Sequence, residues 1–152
     1  MAQVNAVPAG MHSITPALIL EGAADAIGFL TRAFGAEEVT RAMDPSGKKV
    51  WHAMVRIGDS FIFLSDTSPD MAPKPVTARL WLYGDNVDGA FKRATEAGAI
   101  AKMLPADMFW GDRIAEVHDR WGNVWMLAQH MRDLTPAEMK KAQDAFVASM
   151  KK

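Results

Sequence analysis

The sequence predicts an α+β protein built from two tandem βαβββ modules, followed by a C-terminal helix. Three observations predict it. Two segments, Trp51–Asp66 and Asp112–His130, each read as a pair of strands around a tight turn. Two helical patterns each end at a glycine, Gly35 and Gly98. Hairpins and stop glycines superpose when the chain is shifted by 63 residues, and the helix faces superpose at 64.

The elements follow in order. Residues 1–11 lack periodicity and are expected to form a loose arm. Ser13–Leu20 reads as a strand whose Pro16 needs an edge or bulge position, because proline offers no N–H to a ladder. Ala23, Ala26, Ile27, Leu30 and Phe34 fall on one helical face. Glu37–Met43 is a short strand, and Asp44-Pro45-Ser46-Gly47 is a turn with proline at its second position. Lys49–Ile57 and Ser60–Asp66 form the first hairpin, turning at Gly58-Asp59. Thr67–Pro75 holds three prolines and marks the module boundary. In the second module Thr77–Tyr83 is a strand, and Val87, Ala90, Phe91 and Ala94 give the second helix. Ala99–Met108 is extended despite Pro105, and the second hairpin turns at 119–123. Thr135, Pro136 and Glu138 supply an N-cap, a first-turn proline and a capping-box carboxylate for a helix over roughly residues 135–150.

The chain is expected to be one domain over residues 1–152, with module one at about 12–68 and module two at about 76–130. Its 152 residues are 49% apolar and 23% charged, enough to bury a core. A net charge of −1 offers no basic field for nucleic acid or an anionic membrane. With no cysteine there is no disulfide, thiol nucleophile or thiolate metal centre, which suits a reducing compartment. No apolar run is long enough to span a bilayer, and the first ten residues do not read as a signal peptide, so a cytoplasmic location is expected. Nucleotide loops and a nucleophilic-serine elbow are absent.

Two βαβββ units carrying these stretches resemble the glyoxalase/bleomycin resistance/dioxygenase superfamily, the vicinal oxygen chelate proteins, and within it the PhnB-like branch. The residues carrying the resemblance are 14–39, the hairpin at 51–66, Met108–Arg113 and Asp119–Met139. The resemblance implies curled mixed sheets around a cup, a homodimer, and a small-molecule ligand. In metal-using members four side chains of the cup hold a divalent ion. Laid on that pattern, this sequence puts Thr15, Phe63, Arg79 and Met126 at those positions. Imidazole and carboxylate donors are missing there, so no metal and no cofactor is expected at the usual site.

Candidate ligand contacts are therefore His52, Arg79, Trp110, Asp112 and Arg113. Arg79 either holds an anionic group of a ligand in bidentate fashion, pairs internally with Glu116, Asp119 or another acid, or sits at the rim in solvent. His52 either acts as a general base or hydrogen-bonding contact to a ligand, or is a histidine satisfied by backbone or dimer contacts. Met108–Arg113 combines aromatics, a glycine and an Asp/Arg pair, and reads either as a stacking wall or as a dimer plug with a strand anchor. The expected function is binding or sequestering a small anionic or aromatic molecule. The alternative is a lyase, isomerase or dioxygenase of the same superfamily, with a metal held by other residues or with none.

Overall fold

The computed structural model describes residues 3–151. The chain divides into two compact units between Ala78 and Arg79. Unit one contains β1 (Ala17–Leu20), α1 (Ala23–Phe34), β2 (Glu37–Met43), β3 (Val50–Ile57) and β4 (Ser60–Asp66). Unit two contains β5 (Arg79–Tyr83), α2 (Val87–Glu96), β6 (Ile100–Asp107), β7 (Asp112–His118), β8 (Val124–His130) and α3 (Pro136–Met150).

Each unit holds one four-stranded mixed sheet, ordered β1-β4-β3-β2 and β5-β8-β7-β6. In both, the first strand runs parallel to the last and the remaining pairs are antiparallel. The register carries the repeat into three dimensions. Ala17 pairs with Phe63 in unit one and Trp81 with Met126 in unit two, the same pairing displaced by 64 and 63 residues. The α+β class, both βαβββ orders and the C-terminal helix are as the sequence predicts.

In unit one the helix covers one sheet face. Ala23, Ala26, Ile27 and Leu30 of α1 are buried, as are Leu18, Leu20, Ala53, Val55 and Leu64 of the sheet. Gly35 adopts φ 68°, and the amides of Gly35 and Ala36 return to the carbonyls of Thr31 and Leu30 at 3.1 and 3.2 Å. This left-handed closure satisfies the last helical carbonyls. The other end is capped by tertiary structure. The N-cap residue, Gly22, has no side chain to offer; Asp66, at the end of β4, accepts from the amides of Gly22 (2.8 Å), Ala23 (2.9 Å) and Val50 (2.7 Å). One carboxylate thereby ties the helix start to the first hairpin.

Three expectations are corrected. The first strand begins at Ala17 and not at Ser13, because pairing with β4 starts there; just before it, the Pro16 carbonyl still accepts from the Phe63 amide at 2.9 Å. The strand expected from Thr77 begins at Arg79. The arm expected to be loose, of which Met1 and Ala2 lie outside the described residues, turns back on unit one. The Met11 amide bonds the Pro8 carbonyl at 3.0 Å, and Gly10 (φ 79°) lies against the Phe61 ring.

α3 starts as its sequence dictates, with the Thr135 hydroxyl accepting from the Glu138 amide at 3.1 Å and Pro136 in the first turn. The Glu138 carboxylate accepts from the Thr135 hydroxyl at 3.1 Å, a local variant of the expected box. None of its residues is fully buried, and its Phe146 ring lies 5.0 Å from that of Phe109 in the turn between β6 and β7.

Candidate functional site

Strand alternation and register sort the second sheet into two faces. Leu80, Leu82, Trp125, Leu127, Gln129, Arg113, Ala115 and Val117 lie on the face that α2 packs against; Gln129 accepts from the Val87 amide and Arg113 reaches Asp88, both on α2. The opposite face carries Arg79, Trp81 and Tyr83 of β5, Val124, Met126, Ala128 and His130 of β8, and Asp112, Ile114, Glu116 and His118 of β7. Register lines these up across the sheet: Arg79, Val124 and His118 in one row; Trp81, Met126, Glu116 and Met103 in the next; then Tyr83, Ala128 and Ile114; and last His130 with Asp112.

The middle of that face is apolar. Ile114, Met126 and Ala128 are buried beneath Met103, Met108, Trp110 and Val124. Trp81 and Tyr83 remain 45% and 57% exposed, their rings 6.3 Å apart and inclined by only 24°. Polar groups gather at both ends.

At one end stands Asp112, 4% exposed. One carboxylate oxygen accepts from the Tyr83 hydroxyl (2.9 Å) and the Trp110 indole N–H (3.1 Å). The other meets His130 Nδ1 at 2.8 Å, and His130 Nε2 meets Asp133 at 2.7 Å. Burial opposes the charge on Asp112, but the hydrogen bonds from His130, Tyr83 and Trp110 prevail and hold the carboxyl below its usual range. The contact with Asp133, and then that with Asp112, raises the His130 pKa. The bond to Asp112, reinforced by burial, raises that of the Tyr83 phenol. Gly111 makes this corner buildable: its φ is 99°, and a Cβ there would lie 2.5 Å from the Arg132 carbonyl oxygen. Its own carbonyl accepts from the amides of Met131 (2.8 Å) and Arg132 (3.2 Å), fastening the start of the C-terminal segment.

At the other end Glu116, half-buried, lies between two basic side chains. One oxygen is 2.8 Å from His118 Nε2 and the other 3.5 Å from an Arg79 terminal nitrogen. The two arginines predicted from sequence thus have different fates. Arg113 is bidentate to Asp88, at 2.9 Å through both Nε and a terminal nitrogen, and also bonds Asp107 at 3.1 Å, on the α2 side. Those partners, Asp88 foremost, hold its pKa further up. Arg79 makes one long contact and its side chain is 55% exposed.

The predicted residues therefore separate. Trp110 and Asp112 share a hydrogen bond, Arg79 lies on the same face, Arg113 lies on the other, and His52 belongs to unit one. There the His52 ring is exposed, 4.7 Å from that of Phe63. Phe63 and Thr15 line a separate cleft of about 390 Å³ with Ala6, Val7, Pro8, Met11, His12 and Ser13 of the arm. Sequence reasoning passed over Trp81, Tyr83, His118 and His130. The alternation of residues 112, 114, 116 and 118 carried the signal, but only register brings β5 and β8 beside them.

Asp119, 6% exposed, serves the turn and not the face. It accepts from the amides of Trp121 (3.0 Å) and Asn123 (2.9 Å), from Asn123 Nδ2 (3.0 Å) and from Trp125 Nε1 (3.0 Å).

Two units of one βαβββ plan, each with a helix on one face of a mixed sheet, define a class of duplicated α+β proteins. The chain belongs to the Glyoxalase/Bleomycin resistance protein/Dioxygenase superfamily, whose sequence pattern matches residues 12–127. It is 34% identical over 153 residues to Mb0911c of Mycobacterium bovis, covering 93% of this chain and 96% of that protein. Among solved structures it is similar to TioX from Micromonospora sp. ML1, with a TM-score of 0.61 and 24% identity over 78% of this chain and all of that one (100%). It is also similar to a PhnB protein from Bacillus cereus, with a TM-score of 0.59 and 17% identity over 78% of this chain and 99% of that one. At these identities the structural likenesses show the fold alone.

A divalent ion fits poorly at the superfamily's usual positions. Thr15, Phe63, Arg79 and Met126 present a hydroxyl, a phenyl ring, a guanidinium and a thioether, of which the last suits only soft metals. Among the described residues, no group of three or more histidines, aspartates and glutamates is arranged to hold an ion.

Proposed function

We propose that this protein binds a small organic molecule on the open face of the second sheet, without a metal at the superfamily's usual positions. One observation carries the reading: an apolar layer of partly buried Met103, Met108, Trp110 and Val124, packed on buried Ile114, Met126 and Ala128 and with two exposed aromatic rings beside it, is bounded at both ends by polar clusters. Ligand sites have this composition, mostly apolar with a few placed polar groups that fix orientation. The donor chemistry at Thr15, Phe63, Arg79 and Met126 supports binding over metal-assisted catalysis there. The whole chain is read as one domain and as half of a homodimer, a reading supported by exposed Trp51, since exposed aromatic surface is common at protein interfaces.

A second reading, an enzyme of the superfamily acting without that metal site, is favoured by one feature. The His118–Glu116 pair, at 2.8 Å, is an imidazole–carboxylate arrangement of the kind used in proton transfer.

A screen of carboxylated and aromatic small molecules by thermal shift, followed by amide NMR titration of the hits, tests the proposal. Saturable shifts at residues 79–83, 112–118 and 124–130 are expected. Hits that leave these strands unmoved, or stoichiometric tight metal in the purified protein, would overturn it.

A further inference from the structure

We infer that the arm ahead of β1 is a strap over the open face of the first sheet, and that the cleft it walls takes a small uncharged aromatic molecule bearing one hydrogen-bonding group. This site lies within unit one and is independent of the second-sheet reading above.

The strap's bend is built locally. Pro8, Ala9, Gly10 and Met11 form a turn closed by the Met11 amide on the Pro8 carbonyl at 3.0 Å, with Gly10 at φ 79° in the third position. A type II turn needs that positive φ, which glycine adopts without strain. Gly10 then lies against the Phe61 ring. Residues 3–11 precede the superfamily's sequence pattern, so the strap is a feature of this chain and not of the shared plan.

Strand alternation supplies the floor. Ile62 and Leu64 of β4 are buried beside Val55 and Ala53 on the helix-covered face, which turns Phe61 and Phe63 to the open one. Phe63 is backed by the His52 ring, 4.7 Å away, and with Val7, Pro8 and Met11 of the strap it gives the cleft of about 390 Å³ an apolar lining. Those strap residues curl over an aromatic floor without being buried: every residue from 3 to 10 is exposed, Val7 by 39%. A ligand between strap and floor removes both surfaces from water at once, and so holds the strap down.

The lining also sets the ligand's charge. Its polar side chains are the hydroxyls of Ser13 and Thr15 and the exposed imidazole of His12; among the described residues that line it, none carries a carboxylate, an ammonium or a guanidinium. Arg56, across from Phe61 on the same face, is paired with Glu37. An ionic ligand would meet no fixed opposite charge, and an uncompensated charge against apolar surface is costly. A hydroxyl both donates and accepts, so an alcohol, phenol or carbonyl oxygen suits Ser13 or Thr15. The volume is that of a small-molecule site, and the Phe63 ring favours an aromatic partner.

Benzyl alcohol, benzoate and benzylamine share a shape and differ in charge. Titrated into the full chain and followed by amide NMR, benzyl alcohol is expected to shift residues 6–15 and 61–63 saturably. The two ions are expected to bind there at least about tenfold more weakly. At about ten times its Kd, benzyl alcohol should slow thermolysin cleavage ahead of Val7 and Met11 by about tenfold, because cleavage follows the open population. Val7→Asp, at an exposed position, places a carboxylate in the wall and should reverse the order of benzyl alcohol and benzylamine. Phe63→Ala, shown to be folded by thermal melt, should abolish the shifts at residues 6–15. Either ion binding at these residues as tightly as the alcohol overturns the ligand class. Unchanged cleavage overturns the strap, and an unchanged order in Val7→Asp overturns the cleft as the site. Shifts confined to residues 79–83, 112–118 and 124–130 overturn the whole inference and leave the second-sheet reading standing.

Discussion

Replacing Asp112 offers the sharpest test of how the far end of the face is held. Its carboxylate accepts from Tyr83, Trp110 and His130. A net hydrogen bond to a charged group contributes about 1.5–3 kcal/mol. Two of these donors, however, belong to side chains more than half exposed, Tyr83 and His130, which return to water when the acceptor goes. Asp112→Ala is therefore expected to cost about 2–3 kcal/mol, well below the sum of three full bonds.

Asp112→Asn should cost only about 1 kcal/mol, because its oxygen can still accept from Tyr83 and Trp110. Its amide nitrogen, now a donor, would face His130 Nδ1 and force the ring proton onto Nε2, so the imidazole gains nothing from protonation at that side. The consequence is visible in pH. A lowered carboxyl pKa at Asp112 contributes stability that is present above the unfolded value of about 3.9 and lost as pH falls through the folded value. A raised imidazole pKa at His130 contributes stability that is present below about 6.5 and lost as pH rises through its folded value. The two overlap between about pH 4 and 6.5. Urea unfolding followed by tryptophan fluorescence should show the wild-type advantage over Asp112→Asn widest near pH 5.5 and narrowed at about pH 8.5. An unchanged advantage at the two pH values, or an Asp112→Ala cost under about 0.5 kcal/mol, would refute the reasoning.

Three further outcomes are expected. Asp119→Ala removes four accepted hydrogen bonds from a turn whose Asn123 and Trp125 are each 1% exposed, and should cost about 3–5 kcal/mol by denaturant midpoint. Gly111→Ala forces a side chain into φ 99° and against the Arg132 carbonyl; it should cost about 2 kcal/mol or more and raise amide exchange at Met131 and Arg132. Asp66→Ala uncaps α1 and frees the Val50 amide together, so a cost of about 2 kcal/mol should appear as faster exchange at both places; exchange rising at only one would separate the two roles.

Much of the fold was legible because its signals are local. The glycine closing α1, the Thr135–Pro136 start of α3 and the alternation of β3 and β4 each act over a few neighbouring residues. Legibility failed where the partner is distant in sequence. Asp66 caps a helix more than 40 residues away, and nothing near Gly22 announces it. The strand expected from Ser13 lost its first residues because pairing starts only at Ala17 with Phe63, although β4 itself begins at Ser60; Pro16, just before, has no N–H to give to the ladder.

The candidate site divides the same way. Arg79, Trp110 and Asp112 stood out as a charge in an apolar run and as an aromatic–acid cluster, and all three reach the open face of the second sheet. Asp112 and Arg113 are adjacent, so a strand must send them to opposite faces, and only α2 decided which face Arg113 would serve. Tyr83 became a partner of Asp112 through the parallel β5–β8 register, and His130 through the antiparallel β7–β8 register.

By itself the sequence determined the order of elements, the duplication and the side-chain alternation, because these depend on local propensity and period. Tertiary structure alone decided which arginine is spent and which keeps its donors. A guanidinium's capacity depends on the acids folded against it, and Asp88, Asp107 and Glu116 reach theirs through helix packing and strand register.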